Sequence, residues 1–114
     1  MMSIPLERDV TDKWGLGSVK TWVLTAANYF GNKYGLKHIG GYRSSGSVPN
    51  SDHPKGRALD LMVSAKTDKA KGDKIAADAI ANRIALGVSY VIWNRRIWTP
   101  DKGWDSYDGP SDHT

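Results

Sequence analysis

Cysteine is absent from the chain. That removes disulfides and every thiolate metal site, so any metal must be held by His, Asp or Glu. It leaves the redox compartment open. Long apolar runs are missing as well. Nowhere does the sequence offer the ~18 consecutive apolar residues of a membrane span, and the N-terminal MMSIPLERDVTDKW holds no apolar segment of signal-peptide length. The expectation is a protein synthesised in the cytoplasm without a signal peptide, with no membrane insertion. It would act outside the membrane only after another factor releases it. Internal repeats and linkers are also lacking, and 114 residues suffice for one core.

What is present is ordinary for a folded domain: 39% hydrophobic and 25% charged residues. A net charge of +4 and a pI near 9.4 favour an anionic partner, whether nucleic acid, a membrane surface or an acidic wall polymer. Charge alone does not choose among them. The densest basic stretch, KTDKAKGDK from Lys66 to Lys74, is interrupted by Asp68 and Asp73 and reads as a solvated loop.

Periodicity predicts two helices. Val19, Trp22, Val23, Ala26, Ala27 and Phe30 form one helical stripe, with Ser18 as N-cap, Gly31 or Gly35 as the stop and the aromatics in the core. Ile75, Ala76, Ala79, Ile80 and Ile84 form a second stripe after Asp73, closed by Gly87. VSYVIW (Val88 to Trp93) and RIWT (Arg96 to Thr99), joined by Asn94 and Arg95, read as a hairpin in which Trp93 faces Trp98. Further strands are expected at Ala58 to Val63 and around Lys37 to Tyr42. The order α, β, loop, β, α, β, β implies an α+β domain with helices packed on a small, largely antiparallel sheet.

Asp60 interrupts the apolar run Leu59 to Val63. In a strand it shares a face with Ala58 and Met62, opposite Leu59, Leu61 and Val63. A carboxylate there needs a partner: an arginine, backbone N–H groups or a metal. His53 stands seven residues upstream, in a segment that Pro54 and Gly56 keep irregular. Folded back, it would meet Asp60 either as a structural hydrogen bond or as the second ligand of a cation such as zinc.

Ser51, His53, Gly56, Ala58 and Asp60 also spell S-x-H-x-x-G-x-A-x-D. By chance such a match occurs in on the order of one in a few million windows. The pattern resembles the signature of the zinc peptidases that include D-alanyl-D-alanine carboxypeptidases and L-alanyl-D-glutamate endolysins. GGYRSSGSVPNSDHPKGRALDLMV and LGVSYVIWNRRIWTPDKGW look like segments of small actinobacterial and phage members, and the likeness covers roughly Leu36 to His113. It implies a hedgehog/DD-peptidase-like fold and a single zinc peptidase-like domain over 1–114. His53 and Asp60 would bind catalytic Zn2+, with a second histidine near the C-terminus and a water completing the site. Ser51 would support the site by hydrogen bonding, and small residues at Gly56 and Ala58 would let the loop lie close to the strand. Arg43 would face the substrate and its developing oxyanion, for which a fixed guanidinium fork is suited. The implied reaction is metal-assisted amide hydrolysis, with a carboxylate moving the proton to the leaving amine.

One departure stands out. Members of this group end in a segment of the type D-H-V-H-V-S, whereas this chain closes on YDGPSDHT, so the domain reads as C-terminally truncated. Asp112 and His113 are adjacent and point to opposite sides of an extended chain, which makes His113 a weak candidate for the third ligand. His38 reads as structural or exposed. The expected function is a zinc metallopeptidase hydrolysing an amide bond of peptidoglycan stem peptides or cross-links, as the monomeric peptidase domain of a phage endolysin. The alternative is a non-catalytic wall-binding or metal-binding module on the same fold. A nucleic-acid binder ranks below both, since no basic helix or aromatic stacking strip is present.

Overall fold

The computed structural model describes residues 9–42, 51–53 and 55–107. Its first helix, α1 (Thr21–Tyr34), buries Val23, Ala26, Ala27 and Phe30, the 3.6-residue stripe expected of a helix lying on a core. It ends at Gly35, which takes the left-handed conformation (φ 62°) and donates its N–H to the Gly31 carbonyl, a cap that glycine adopts without steric cost. The start lies later than Ser18. Gly17 has φ 80° and Lys20 remains extended (φ −66°, ψ 153°). The Lys20 N–H is taken by the carbonyl of Gly56 at 2.8 Å, so a tertiary bond keeps this segment out of the helix.

Trp22 also departs from the expected stripe: it is 47% exposed and lies against Gly87. The indole that does pack on α1 comes from Trp14. It rests on Gly31, where any Cβ would collide with the ring, and its Nε1–H donates to Asn28 Oδ1 at 2.9 Å. Asn28 is itself buried, and its amide donates to the carbonyls of Asp9 and Thr11. The segment before the helix is thereby tied along it.

The second helix, α2 (Lys69–Ala81), includes most of the basic run read as a loop. Ser64 Oγ accepts the N–H groups of Lys66 and Thr67, a turn that leads into the helix. Lys69 and Asp73 then pair at 2.8 Å with i,i+4 spacing. Gly72 lies buried beneath the Trp93 indole, whose Nε1–H donates to Asp73 Oδ1 at 2.7 Å. The basic run therefore carries a packing surface. Ile75, Ala76 and Ala79 are buried as expected, but the stripe does not reach Ile84. The helix breaks at Asn82, whose amide donates to the carbonyl and carboxylate of Asp78. A four-residue helix, α3 (Arg83–Leu86), follows and leaves Ile84 88% exposed.

The strands divide into two antiparallel sheets rather than one. β1 (Ile39–Gly40) pairs with β2 (Asp60–Leu61), much shorter than the Ala58 to Val63 strand expected. Both Asp60 and Leu61 are buried, so two-sided burial replaces a clean in-out alternation. The other sheet is β3 (Val91–Trp93), β4 (Arg96–Thr99) and β5 (Gly103–Ser106) in sequential order. Asn94 and Arg95 join β3 to β4 with φ of 53° and 63°, the two left-handed residues of a type I′ hairpin. A two-residue turn sets Trp93 opposite Arg96, so Trp98 lies across from Val91 and, on its other side, from Trp104 of β5. The guanidinium groups of Arg83 and Arg96 cover Trp98 and Trp104, each 5.2 Å from its ring.

The core gathers Phe30, Leu36, Ile39, Leu61, Ile75 and Leu86 between the helices and both sheets. One polar junction locks α1 to α2. Asp78 accepts hydrogen bonds from Tyr29 and Tyr34 (2.6 Å to the latter), pairs with Lys33 at 2.9 Å and holds Asn82. Burial pushes its carboxyl upward, but the donors of Tyr34, Lys33, Tyr29 and Asn82 outweigh it and leave the pKa below the usual carboxylate value.

Candidate functional site

The β1–β2 pair places Asp60 opposite Gly40. A Cβ at Gly40 would lie 3.5 Å from that of Asp60 and 3.7 Å from its Oδ2, ordinary contact distances. Gly41 is the constrained one, because a Cβ would press on Leu16 and Val19 at 3.0 Å. Gly41 thereby lets the lead-in to α1 close on this backbone segment.

His53 arrives from the loop between the strands. Its Nδ1 is 2.7 Å from the Gly41 carbonyl oxygen, which can only accept, so Nδ1 carries a proton and donates it there. The other ring nitrogen faces Asp60: Nε2 and Oδ1 are 3.6 Å apart, each side chain about 12% exposed. The separation is too long for a hydrogen bond. It is close to the ~3.4 Å edge of a tetrahedral zinc site with ligand bonds of ~2.1 Å. A histidine whose other nitrogen donates to a backbone carbonyl is also the usual arrangement of a metal-bound imidazole. The fold thus brings together the two residues that the spacing singled out, in a geometry that admits a cation between them.

The loop carrying His53 is closed on itself. Ser51 Oγ accepts the His53 N–H at 3.3 Å. The Asp52 carbonyl accepts the N–H groups of Lys55 and Arg57, and the His53 carbonyl accepts that of Gly56. Gly56 is buried at φ 70° with its Cα against the backbone of Ser18 and Val19. Its small size therefore serves contact with the segment before α1, not with the strand as expected. Ala58 is half-buried beside the same groove.

Among the described residues, no group of three or more His, Cys, Asp or Glu side chains stands close enough to share a metal. Arg43 and His113 lie outside the described residues. His38 is exposed, and its carbonyl accepts the Met62 N–H.

The pair opens on a groove of about 580 Å³ whose walls include Trp22, Leu59, Tyr90, Ile92 and Tyr107. At its edge Asp52 is held from two sides: Tyr90 Oη donates to Oδ2 at 2.6 Å and Arg57 Nη2 to Oδ1 at 3.0 Å. The Tyr90 bond, helped by Arg57, holds the Asp52 carboxyl below its ordinary pKa, while burial and the same carboxylate push the Tyr90 hydroxyl up. Reasoning from the sequence missed Gly41, Trp22 and the Tyr90–Asp52 bond. The first was signalled by the Gly-Gly pair closing a strand; the last joins residues 38 positions apart and left no local signal.

The family model for the VldE C-terminal domain matches residues 15–114. This chain belongs to that family. The match spans all three helices, both sheets and the His53–Asp60 pair, so the site is part of the shared domain and not an appendage to it. No curated protein and no solved structure matches the chain.

Proposed function

We propose that this member of the VldE C-terminal domain family is a zinc-dependent peptidase that hydrolyses an amide bond in peptidoglycan stem peptides or cross-links, of the kind found in phage endolysins. The observation that carries the reading is the His53–Asp60 pair: Nε2 and Oδ1 at 3.6 Å, with Nδ1 anchored on the Gly41 carbonyl. Two groups held at a ligand-edge distance, inside a groove, fit a borderline cation better than they fit each other. The signature around them resembles that of the zinc peptidases and adds support from the residue types.

In this reading His53 and Asp60 hold Zn2+, and Ser51 fixes the backbone of His53. When bound, the metal supplies Lewis acidity and a water acidic enough to attack an amide near neutral pH. The role of oxyanion partner for Arg43 and that of third ligand for His113 rest on the resemblance alone. The groove between Trp22 and Tyr90 receives the peptide, and the net charge of +4 favours an anionic wall. Among the described residues no helix is long and apolar enough to cross a membrane.

The test is zinc content and muropeptide release from purified sacculi for the wild type, His53→Ala and Asp60→Ala. Removing a direct ligand should exceed the ~10–100-fold loss that follows removal of an outer partner, so both variants should lose zinc and fall below about one hundredth of wild-type release. Full activity in His53→Ala sinks the reading. Sacculus binding without release by the zinc-loaded wild type supports the non-catalytic module instead.

A further inference from the structure

Residues 51–53 and 55–57, which carry His53 to Asp60, are held by contacts that divide the task unevenly. Inside the loop, backbone bonds fold Lys55, Gly56 and Arg57 back on Asp52 and His53. To the segment before α1 it is tied by the Gly56 carbonyl and Lys20 N–H, and to β1 by the imidazole on Gly41. Toward the three-stranded sheet, the hydrogen bond seen among the described residues is the 2.6 Å bond from Tyr90 Oη to Asp52 Oδ2. Tyr90 stands one residue before β3, and Asp52 immediately precedes His53. The same Asp52 supplies the carbonyl that closes the loop and the carboxylate that Arg57 braces from within it. This one carboxylate therefore links the loop's internal bonds to the three-stranded sheet.

We propose that Tyr90 is a positioning residue: through Asp52 it couples the three-stranded sheet to the His53 loop and sets the affinity of the His53–Asp60 pair for a divalent cation. The proposal rests on the metal-site reading above but not on hydrolysis. Tyr90 is among the residues lining the groove, and its hydroxyl is engaged by Asp52. Losing the hydroxyl should leave the wall in place and release the loop.

The experiment compares the full chain with Tyr90→Phe, Asp52→Ala and the double variant. Zn2+ affinity is measured by competition with a chromophoric chelator, and amide exchange of Lys55, Gly56 and Arg57 is followed in the metal-free protein. Outer-shell partners of metal ligands are worth about 10–100-fold in affinity. Tyr90→Phe should weaken Zn2+ binding by about 10-fold, with faster exchange at the three amides and a melting temperature lowered by a few degrees. In the double variant the loss should not exceed that of Asp52→Ala alone, since both changes cut one bond. Wild-type affinity in Tyr90→Phe overturns the proposal even if exchange quickens, because the hydroxyl would then serve only the loop's rigidity. Losses that add in the double variant also overturn it. If the wild type binds no Zn2+, both this proposal and the zinc reading fail. If it binds Zn2+ with the Tyr90 dependence but releases no muropeptides, only the peptidase reading fails.

Discussion

Gly56→Ala is the perturbation on which the loop geometry makes its firmest demand. Gly56 sits at φ 70°, where a residue with a Cβ pays about 1–2 kcal/mol. The added carbon would also run into the Ser18 carbonyl oxygen, with Val19 Cα only 3.2 Å away. Backbone cannot rotate aside as a side chain can, so the Ser18–Lys20 segment must retreat. The 2.8 Å bond from Lys20 N–H to the Gly56 carbonyl then weakens, forfeiting about 1 kcal/mol. The total is roughly 2–3 kcal/mol, or a melting temperature lower by roughly 8–12 °C for a chain of this size. Gly35 supplies the control. It has φ 62° but nothing within 4 Å of a Cβ, so Gly35→Ala should cost only the conformational term, about 1 kcal/mol. Calorimetry on the two variants separates strain from collision. The Gly56 N–H also bonds the His53 carbonyl at 3.1 Å, so Zn2+ affinity should fall in Gly56→Ala and hold in Gly35→Ala. Equal melting temperatures for the two would refute the close approach of loop and helix lead-in.

Other expectations follow from packing and charge. Asp78→Ala strips Tyr29, Tyr34 and Asn82 of a shared acceptor and should cost about 2–3 kcal/mol in urea unfolding; a loss below about 1 kcal/mol would contradict the junction's role. Since the Asp78 pKa is lowered on folding from 3.8, its contribution is fully present above that value and is lost as pH falls through the lower folded value. Asp78→Asn should therefore flatten the acid limb of the stability profile, and an unchanged slope below about pH 4 argues against it. Gly72→Ala forces the Trp93 indole off α2 and breaks its 2.7 Å bond to Asp73, with a cost of about 1–3 kcal/mol and an altered near-ultraviolet dichroism; a native spectrum would refute it. Arg95→Gly relieves a left-handed residue in the hairpin turn (φ 63°) and should stabilise by about 1 kcal/mol in the same urea assay, whereas destabilisation would show that the Arg95 side chain matters more than its backbone.

Features set by a few neighbouring residues were legible in the sequence. Gly35 ends α1 because a left-handed cap suits glycine, and Asn94-Arg95 turns the hairpin because a two-residue loop between β-rich runs leaves little choice. The α+β class followed from those signals, and the His53–Asp60 spacing pointed to a loop folding back on its strand. The same local reasoning misplaced residues whose surroundings come from distant chain. Trp22 satisfied the helical stripe, yet the indole buried on α1 is that of Trp14, because Gly31 offers the socket. Lys66 to Lys74 looked solvated because charge conceals Gly72, whose role depends on Trp93 arriving 21 residues later. Ile84 fitted the second stripe until Asn82 bonded Asp78 and ended the helix.

The sequence by itself determined which residue types could do chemistry, and where the chain could turn, cap and alternate, since those depend on side-chain character and on φ within a few residues. Only the tertiary structure decided that Gly41 would orient the His53 imidazole, that Asp60 would pair with Gly40, and that Tyr90 would hold Asp52. Each of these is a contact across a fold, made when packing brings remote backbone within hydrogen-bond reach, and no periodicity along the chain encodes it.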